Sequence, residues 1–181
     1  MIIGPTAVGK TTLANTLFTR GYSLLVSYTT RQRRRGEVPG KDYFFVTVEQ
    51  FKEMLGRGEF VEHTQYNGHY YGIAKNDLER VLKRKKSIIA VVDGFGFLKL
   101  KQKYDYRAVF LLPPSKAELK RRMLQRGDSE EFAKERLAKL ESELEFSFMT
   151  NYLLAPDTPD NLADILSFLM DTLQSAYNEA K

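Results

Sequence analysis

Residues 4–11 read Gly-Pro-Thr-Ala-Val-Gly-Lys-Thr: two glycines separated by four residues and followed at once by lysine and threonine. No other stretch constrains the chain so strongly. The glycines let backbone N–H groups turn inward around an anion without side-chain obstruction, and the helix that follows turns its positive end to the same point. In such a cradle Lys10 reaches the β- and γ-phosphates and the Thr11 hydroxyl ligates Mg²⁺. Gly4, Pro5, Thr6, Ala7, Val8, Gly9, Lys10, Thr11 and Thr12 are therefore expected to hold a nucleoside triphosphate.

The flanks suit this reading. Residues 1–3 are apolar and end a short strand, and residues 11–18 carry apolar side chains at helical spacing up to a stop near Gly21. Beyond them the pattern predicts a strand over 22–28, a polar loop over 29–41, a β-rich run over 43–47 and a short helix over 48–55. A half-buried strand over 59–66 then runs into Asn67-Gly68, a hairpin turn pair. Residues 74–85 read as a helix ending in the solvated run Lys83-Arg84-Lys85-Lys86. Residues 87–92 form an uninterrupted apolar strand closed by Asp93, and 106–112 form another, stopped by Pro113-Pro114. Ser115 with Glu118 predicts a capping box; 130–146 reads as one charged helix, 152–155 as a last strand and 159–177 as a closing amphipathic helix. Strands alternating with helices imply a parallel sheet covered on both faces, with ligands beyond the carboxyl ends of its strands.

Composition narrows the partners. The 181 residues are 43% hydrophobic, enough for one core, and no run approaches the 18 apolar residues of a membrane span. Without cysteine the chain has no disulfide and no thiolate metal site, and without an apolar leader a cytoplasmic location is expected. His63 and His69 make a poor metal pair, and neither is assigned a catalytic part. Net charge is +5, with four arginines between Arg31 and Arg35. No aromatic residue lies inside that run to stack on bases, so small phosphorylated ligands explain it better than nucleic acid.

The segment Ser27 to Tyr43, Ser-Tyr-Thr-Thr-Arg-Gln-Arg-Arg-Arg-Gly-Glu-Val-Pro-Gly-Lys-Asp-Tyr, resembles the guanylate kinase family, in which T-T-R-x-x-R-x-G-E-x-x-G-x-D-Y follows the phosphate loop. The likeness continues in order through Gly58-Glu59-Phe60-Val61-Glu62, Tyr70-Tyr71-Gly72, Arg126-Gly127, Ser129-Glu130-Glu131 and Glu135-Arg136-Leu137. It implies an α/β fold with a P-loop NTPase-type parallel sheet flanked by helices, a small β-rich nucleotide-binding insert and a helical lid. The implied boundaries are 1–28, 73–116 and 146–181 for the core, 29–72 for the insert and 117–145 for the lid.

The same resemblance implies phosphorylation of GMP or dGMP by ATP with Mg²⁺. Arg31, Arg34, Tyr43 and Tyr71 would clamp the acceptor's phosphate; Arg33 and Arg35 fall outside the pattern and are expected in solvent. Glu62 would accept from guanine N1–H and N2–H₂, and Ser27 would donate to O6. Lys10, Arg122, Arg126 and Arg136 would neutralise charge on the transferred group, while Lys120 and Arg121 are expected to be solvated. Asp93 suits either a strand-end cap or a carboxylate acting on the acceptor and, through water, on Mg²⁺.

The chain departs from the pattern in places. Ile73 stands where a second hydroxyl is usual. Val91 and Phe95 replace an aspartate and a glutamine of Asp-x-Asp-x-Gln-Gly, Pro156 replaces an asparagine, and the 126–129 turn is short. Two other readings stay open on these residues: a related kinase with a changed acceptor, and a non-catalytic binding module.

Overall fold

Two residues cannot hold a strand on their own, and β1 (Ile2–Ile3) stands because it is paired on both sides. The computed structural model describes residues 1–66, 68–83 and 87–179. In it β1 runs parallel to β8 (Val109–Leu111), and Ile2 bridges to Val91 just beyond β7 (Ile88–Ala90). β7 pairs with β2 (Ser23–Leu25) and β8 with β9 (Tyr152–Leu154), all parallel. The order is thus β2–β7–β1–β8–β9, with the phosphate loop leaving its middle.

Both faces are covered, as continuous apolar strands require. On one side α1 (Lys10–Thr19) and α8 (Pro159–Glu179) bring Leu13, Leu17, Leu162 and Leu166 against Ile2, Ile89, Val109 and Leu154. On the other, α3 (Lys75–Leu82) and α4 (Gly94–Lys101) bring Val81, Phe97 and Leu100 against Ile3, Leu25, Ala90 and Phe110. Each such buried side chain contributes roughly 1.5–3 kcal/mol by leaving water. Among the described residues no helix is long and apolar enough to cross a membrane.

A second, mixed sheet forms the insert, in the order β4 (Phe44–Phe45), β3 (Tyr28–Thr29), β6 (His69–Ala74), β5 (Phe60–Tyr66). The helix α2 (Val48–Gly56) closes over it through Phe51, which is fully buried and stacks on Phe60 at 4.4 Å and Tyr70 at 5.3 Å. The lid comprises α5 (Lys116–Gln125), α6 (Glu130–Ala138) and α7 (Leu140–Leu144), around Leu119, Met123, Ala133 and Leu140.

Four local expectations are corrected. The strand over 22–28 divides: Leu25 is the last rung in the core sheet, Tyr28 the first in the insert, and Val26 and Ser27 belong to neither. Residues 94–101, for which the sequence predicts no element, form α4. Its two glycines and weak periodicity hide it, and Asp93 caps it by accepting from Gly96 N–H at 2.7 Å. The single helix over 130–146 breaks at Lys139, whose N–H reaches back to Arg136 O. That tighter bond re-aims the chain into α7 and a 3₁₀ turn, Glu145–Met149. The box at Ser115 is half made, because Glu118 turns to Arg121 and Arg122. The reciprocal pair is instead Thr47 and Gln50 on α2. Tyr66 pairs with His69; Asn67, half of the expected turn pair, and residues 84–86 of the basic run lie outside the described residues.

Candidate active site

Core, insert and lid enclose one crevice of about 660 Å³ at the carboxyl ends of the core strands. Its floor is the phosphate loop. Gly4 adopts φ +148°, and a Cβ there would lie 2.8 Å from the Leu111 carbonyl oxygen, so only glycine fits. Gly9 caps α1, whose first-turn N–H groups open toward the crevice. All the expected loop residues line it except Pro5, which is buried beneath the turn. Lys10 folds back, donating to Gly4 O at 2.6 Å and Pro5 O at 2.8 Å, and burial pushes its pKa down to about 8.

The insert forms the second wall, and Ser27, Arg31, Arg34, Tyr43, Glu62 and Tyr71 all face the cavity. The Arg31 guanidinium lies 5.4 Å from the Tyr43 ring centre and pairs with Glu37 at 2.7 Å. Glu37 also accepts from Arg34 N–H at 2.7 Å. Burial works against its charge, but these bonds hold its carboxyl below the usual range. Tyr43 meets Tyr71 edge-on at 6.1 Å, and burial raises its hydroxyl to about 12, so it is a neutral donor. Arg33 and Arg35 are both solvent-exposed as expected, Arg35 at the crevice edge.

Glu62 is the most unusual group. The pattern along β5 buries Phe60, Glu62 and Thr64 on one face. Glu62 is only 5% exposed, and its Oε1 has no hydrogen-bond partner. Burial first, and the nearby Asp93 second, push its pKa up to about 7. A buried carboxylate without donors is costly unless a ligand supplies them. Asp93 lies in the same wall, caps α4, and is also raised by burial.

The lid arginines come from different turns. Arg122 is held by Glu118 at 2.7 Å, with Ala7 O and Val8 O at 3.4 Å. Arg126 donates to Asp128 at 2.5 Å, and Arg136 to Glu143 at 2.6 Å and to the Thr6 hydroxyl. Lys120 pairs with Glu130 on the lid surface, and Arg121 with Glu118. The sequence reading missed Glu37, Asp128, Glu143 and Tyr66. Glu37 had a signal, since it belongs to the Gly-Glu step of the quoted pattern. The others are ordinary charged or aromatic residues until the lid and insert meet.

The departures fall in distinct places. Ile73 is 1% exposed and packs in the core, so it adds no polar group to the crevice. Val91 and Phe95 line it, Phe95 edge-on to Phe146 at 5.5 Å. Pro156 lies with Asp157, Val8 and Arg122 in a side pocket of about 340 Å³. Among the described residues there is no group of three or more histidine, cysteine or acidic side chains placed to hold a metal.

Comparison with known proteins agrees with this geometry. The family model described as Guanylate kinase matches residues 1–175. Guanylate kinase of Escherichia coli (strain K12) is 37% identical over 176 residues, covering 93% of this chain and 85% of that one. That of Thermosynechococcus vestitus is 43% identical over 148 residues, covering 80% and 78%. The crystal structure of guanylate kinase from Anaplasma phagocytophilum superposes with a TM-score of 0.78 at 29% identity, over 96% of this chain and 85% of that one. A parallel sheet issuing into this loop, a mixed-sheet insert and a match along nearly the full length together place the chain in the guanylate kinase family.

Proposed function

We propose that the chain transfers the γ-phosphoryl group of ATP to GMP, giving ADP and GDP. The observation that carries this reading is Glu62: a buried carboxylate whose Oε1 has no partner, on the wall that also presents Arg31 and Arg34. Guanine offers N1–H and N2–H₂ side by side, a pair of donors that suits a carboxylate. Adenine presents an acceptor at N1 and would leave the charge unsatisfied, a mismatch of several kcal/mol. Ser27, which lines the same crevice, would donate to O6.

The acceptor's phosphate fits the arginine forks of Arg31 and Arg34 and the hydroxyls of Tyr43 and Tyr71. The donor's phosphates fit the loop N–H groups and Lys10. Arg122, Arg126 and Arg136 project from the lid toward the gap between them. The nucleophile, a phosphate oxygen, is already ionised, so no general base is required. Positioning, charge neutralisation and exclusion of water supply the catalysis. We take residues 29–72 as the acceptor insert and 117–145 as the lid, both hinged on the core.

The donor set suits Mg²⁺, which prefers oxygen ligands and keeps waters. Thr11 and Asp93 both line the crevice, a hydroxyl for direct ligation and a carboxylate for a bound water. The cation would supply charge neutralisation to the phosphates. A coupled ADP-release assay over GMP, dGMP, IMP, AMP and UMP tests the whole reading. Turnover of GMP and dGMP well above the rest is expected; equal or better turnover of AMP or UMP overturns it.

A further inference from the structure

We propose that Tyr66 is a positioning residue for phosphoryl transfer: from the tip of the acceptor insert it seats the lid's Arg136 in the crevice. This rests on the reading of Arg136 as a phosphate-neutralising group.

Arg136 lies on α6 and Tyr66 at the end of β5, and their side chains meet across the mouth of the site. The guanidinium carbon lies 4.3 Å from the Tyr66 ring centre. The Tyr66 hydroxyl donates to Glu143 Oε1 at 2.6 Å, and the same oxygen accepts from Arg136 Nη2 at 2.6 Å. Arg136 Nη2 also donates to the Thr6 hydroxyl. Glu143 and Thr6 thus engage one nitrogen, and the aromatic face fixes the plane of the whole group. Nε and Nη1 are buried without partners, so three of the cation's five N–H groups are unused here.

The Arg136 side chain is 4% exposed, so water offers it no alternative partners. A cation held over an aromatic face is bound most strongly when desolvated in this way. The consequence is a coupling. Arg136 is correctly oriented only while the insert stands where it stands here, so the position of the acceptor-binding insert is transmitted to a group acting on the transferred phosphate.

Kinetics of the full chain with ATP and GMP test this. Tyr66→Leu should lower kcat about ten-fold with the GMP KM changed less than about two-fold, and Tyr66→Phe, which keeps the ring, should lose no more than about three-fold. In an Arg136→Ala background the Tyr66→Leu loss should vanish, because a residue that acts only through another has nothing left to position. A kcat within two-fold of wild type, a loss that multiplies that of Arg136→Ala, or a raised GMP KM at unchanged kcat each overturns the proposal. Should Tyr66→Leu not fold, Tyr66→Phe alone and on Glu143→Gln carries the same comparison, the hydroxyl's effect being expected only when Glu143 is intact. A second readout does not depend on turnover. The Arg136 Nε–H resonance in ¹⁵N-labelled protein, shielded by the Tyr66 ring, should move downfield in Tyr66→Leu. An unmoved resonance overturns the seating, whereas a wild-type chain inactive toward GMP with a moved resonance overturns only the reading of the site.

Discussion

Asp128, in the turn between α5 and α6, accepts a hydrogen bond from Arg34 of the insert at 3.0 Å. Its other oxygen is 2.5 Å from Arg126 Nε, so one carboxylate stands between an arginine of the acceptor wall and one of the lid. It occupies these cations as a phosphate would. Asp128→Asn leaves both arginines short of a counter-charge, so the nucleotide-free protein should lose about 1–3 kcal/mol of stability while the GMP KM falls about three-fold. Thermal denaturation with and without GMP checks both; an unchanged KM removes Asp128 from competition with the acceptor.

On the proposed reading of Glu62 as the group that meets the acceptor's base, acceptor binding depends on pH. Its folded pKa of about 7 lies above its unfolded value near 4.5, so the folded chain keeps a proton that the unfolded chain gives up. That contribution to stability is complete below about pH 4.5 and is lost as pH rises to about 7, amounting to about 3 kcal/mol. On that reading guanine needs the ionised form, so the GMP KM should rise about ten-fold from pH 8 to pH 6. Glu62→Gln should flatten both profiles and erase the preference for guanine over hypoxanthine. Persistence of either slope in the variant would assign it to another group.

Lys10 poses the opposite problem. Burial lowers it to about 8, so above that pH the loop carries an uncharged amine unless phosphates restore the proton. ATP binding at pH 9 should take up a proton, measurable by calorimetry in buffers of different ionisation enthalpy. Lys10→Ala should abolish that uptake and cut kcat at least about a hundred-fold with the fold retained. A heat independent of buffer would place the proton elsewhere.

Gly94 has a steric role. A Cβ on it would lie 2.2 Å from the Phe146 ring, which packs against the start of α4. Gly94→Ala should cost about 1–3 kcal/mol by overpacking, and a second change, Phe146→Ala, should recover part of it. Denaturant titration of the single and double variants decides this; strict additivity would deny the contact.

The phosphate loop, the core strands and the insert were legible because each leaves a local mark: a spacing, an apolar run, a turn pair. The departures lay where tertiary contacts overrule local pattern. Nothing within 130–146 announces the break at Lys139, since it is the burial of Leu140 in the lid core that turns the chain. The glycines of α4 suit the close packing of Phe146 on Gly94 and of Glu62 near Gly96, and so disguise a helix as a loop. In the site, residues carried by the quoted motifs could be named in advance. Asp128, Glu143 and Tyr66 act by meeting partners on other elements, a relation that no local pattern encodes.

The gap at Val26 and Ser27, between the last rung of one sheet and the first of the other, makes a fulcrum of two residues. Phe44 N–H is fastened to Ser27 O at 2.9 Å, so the insert is tied to the chain directly at Ser27. On the proposed reading of the site, a tilt there would carry Arg31 and Arg34 farther than the Ser27 hydroxyl, so the base of an arriving nucleotide would be held near the axle and its phosphate at the rim.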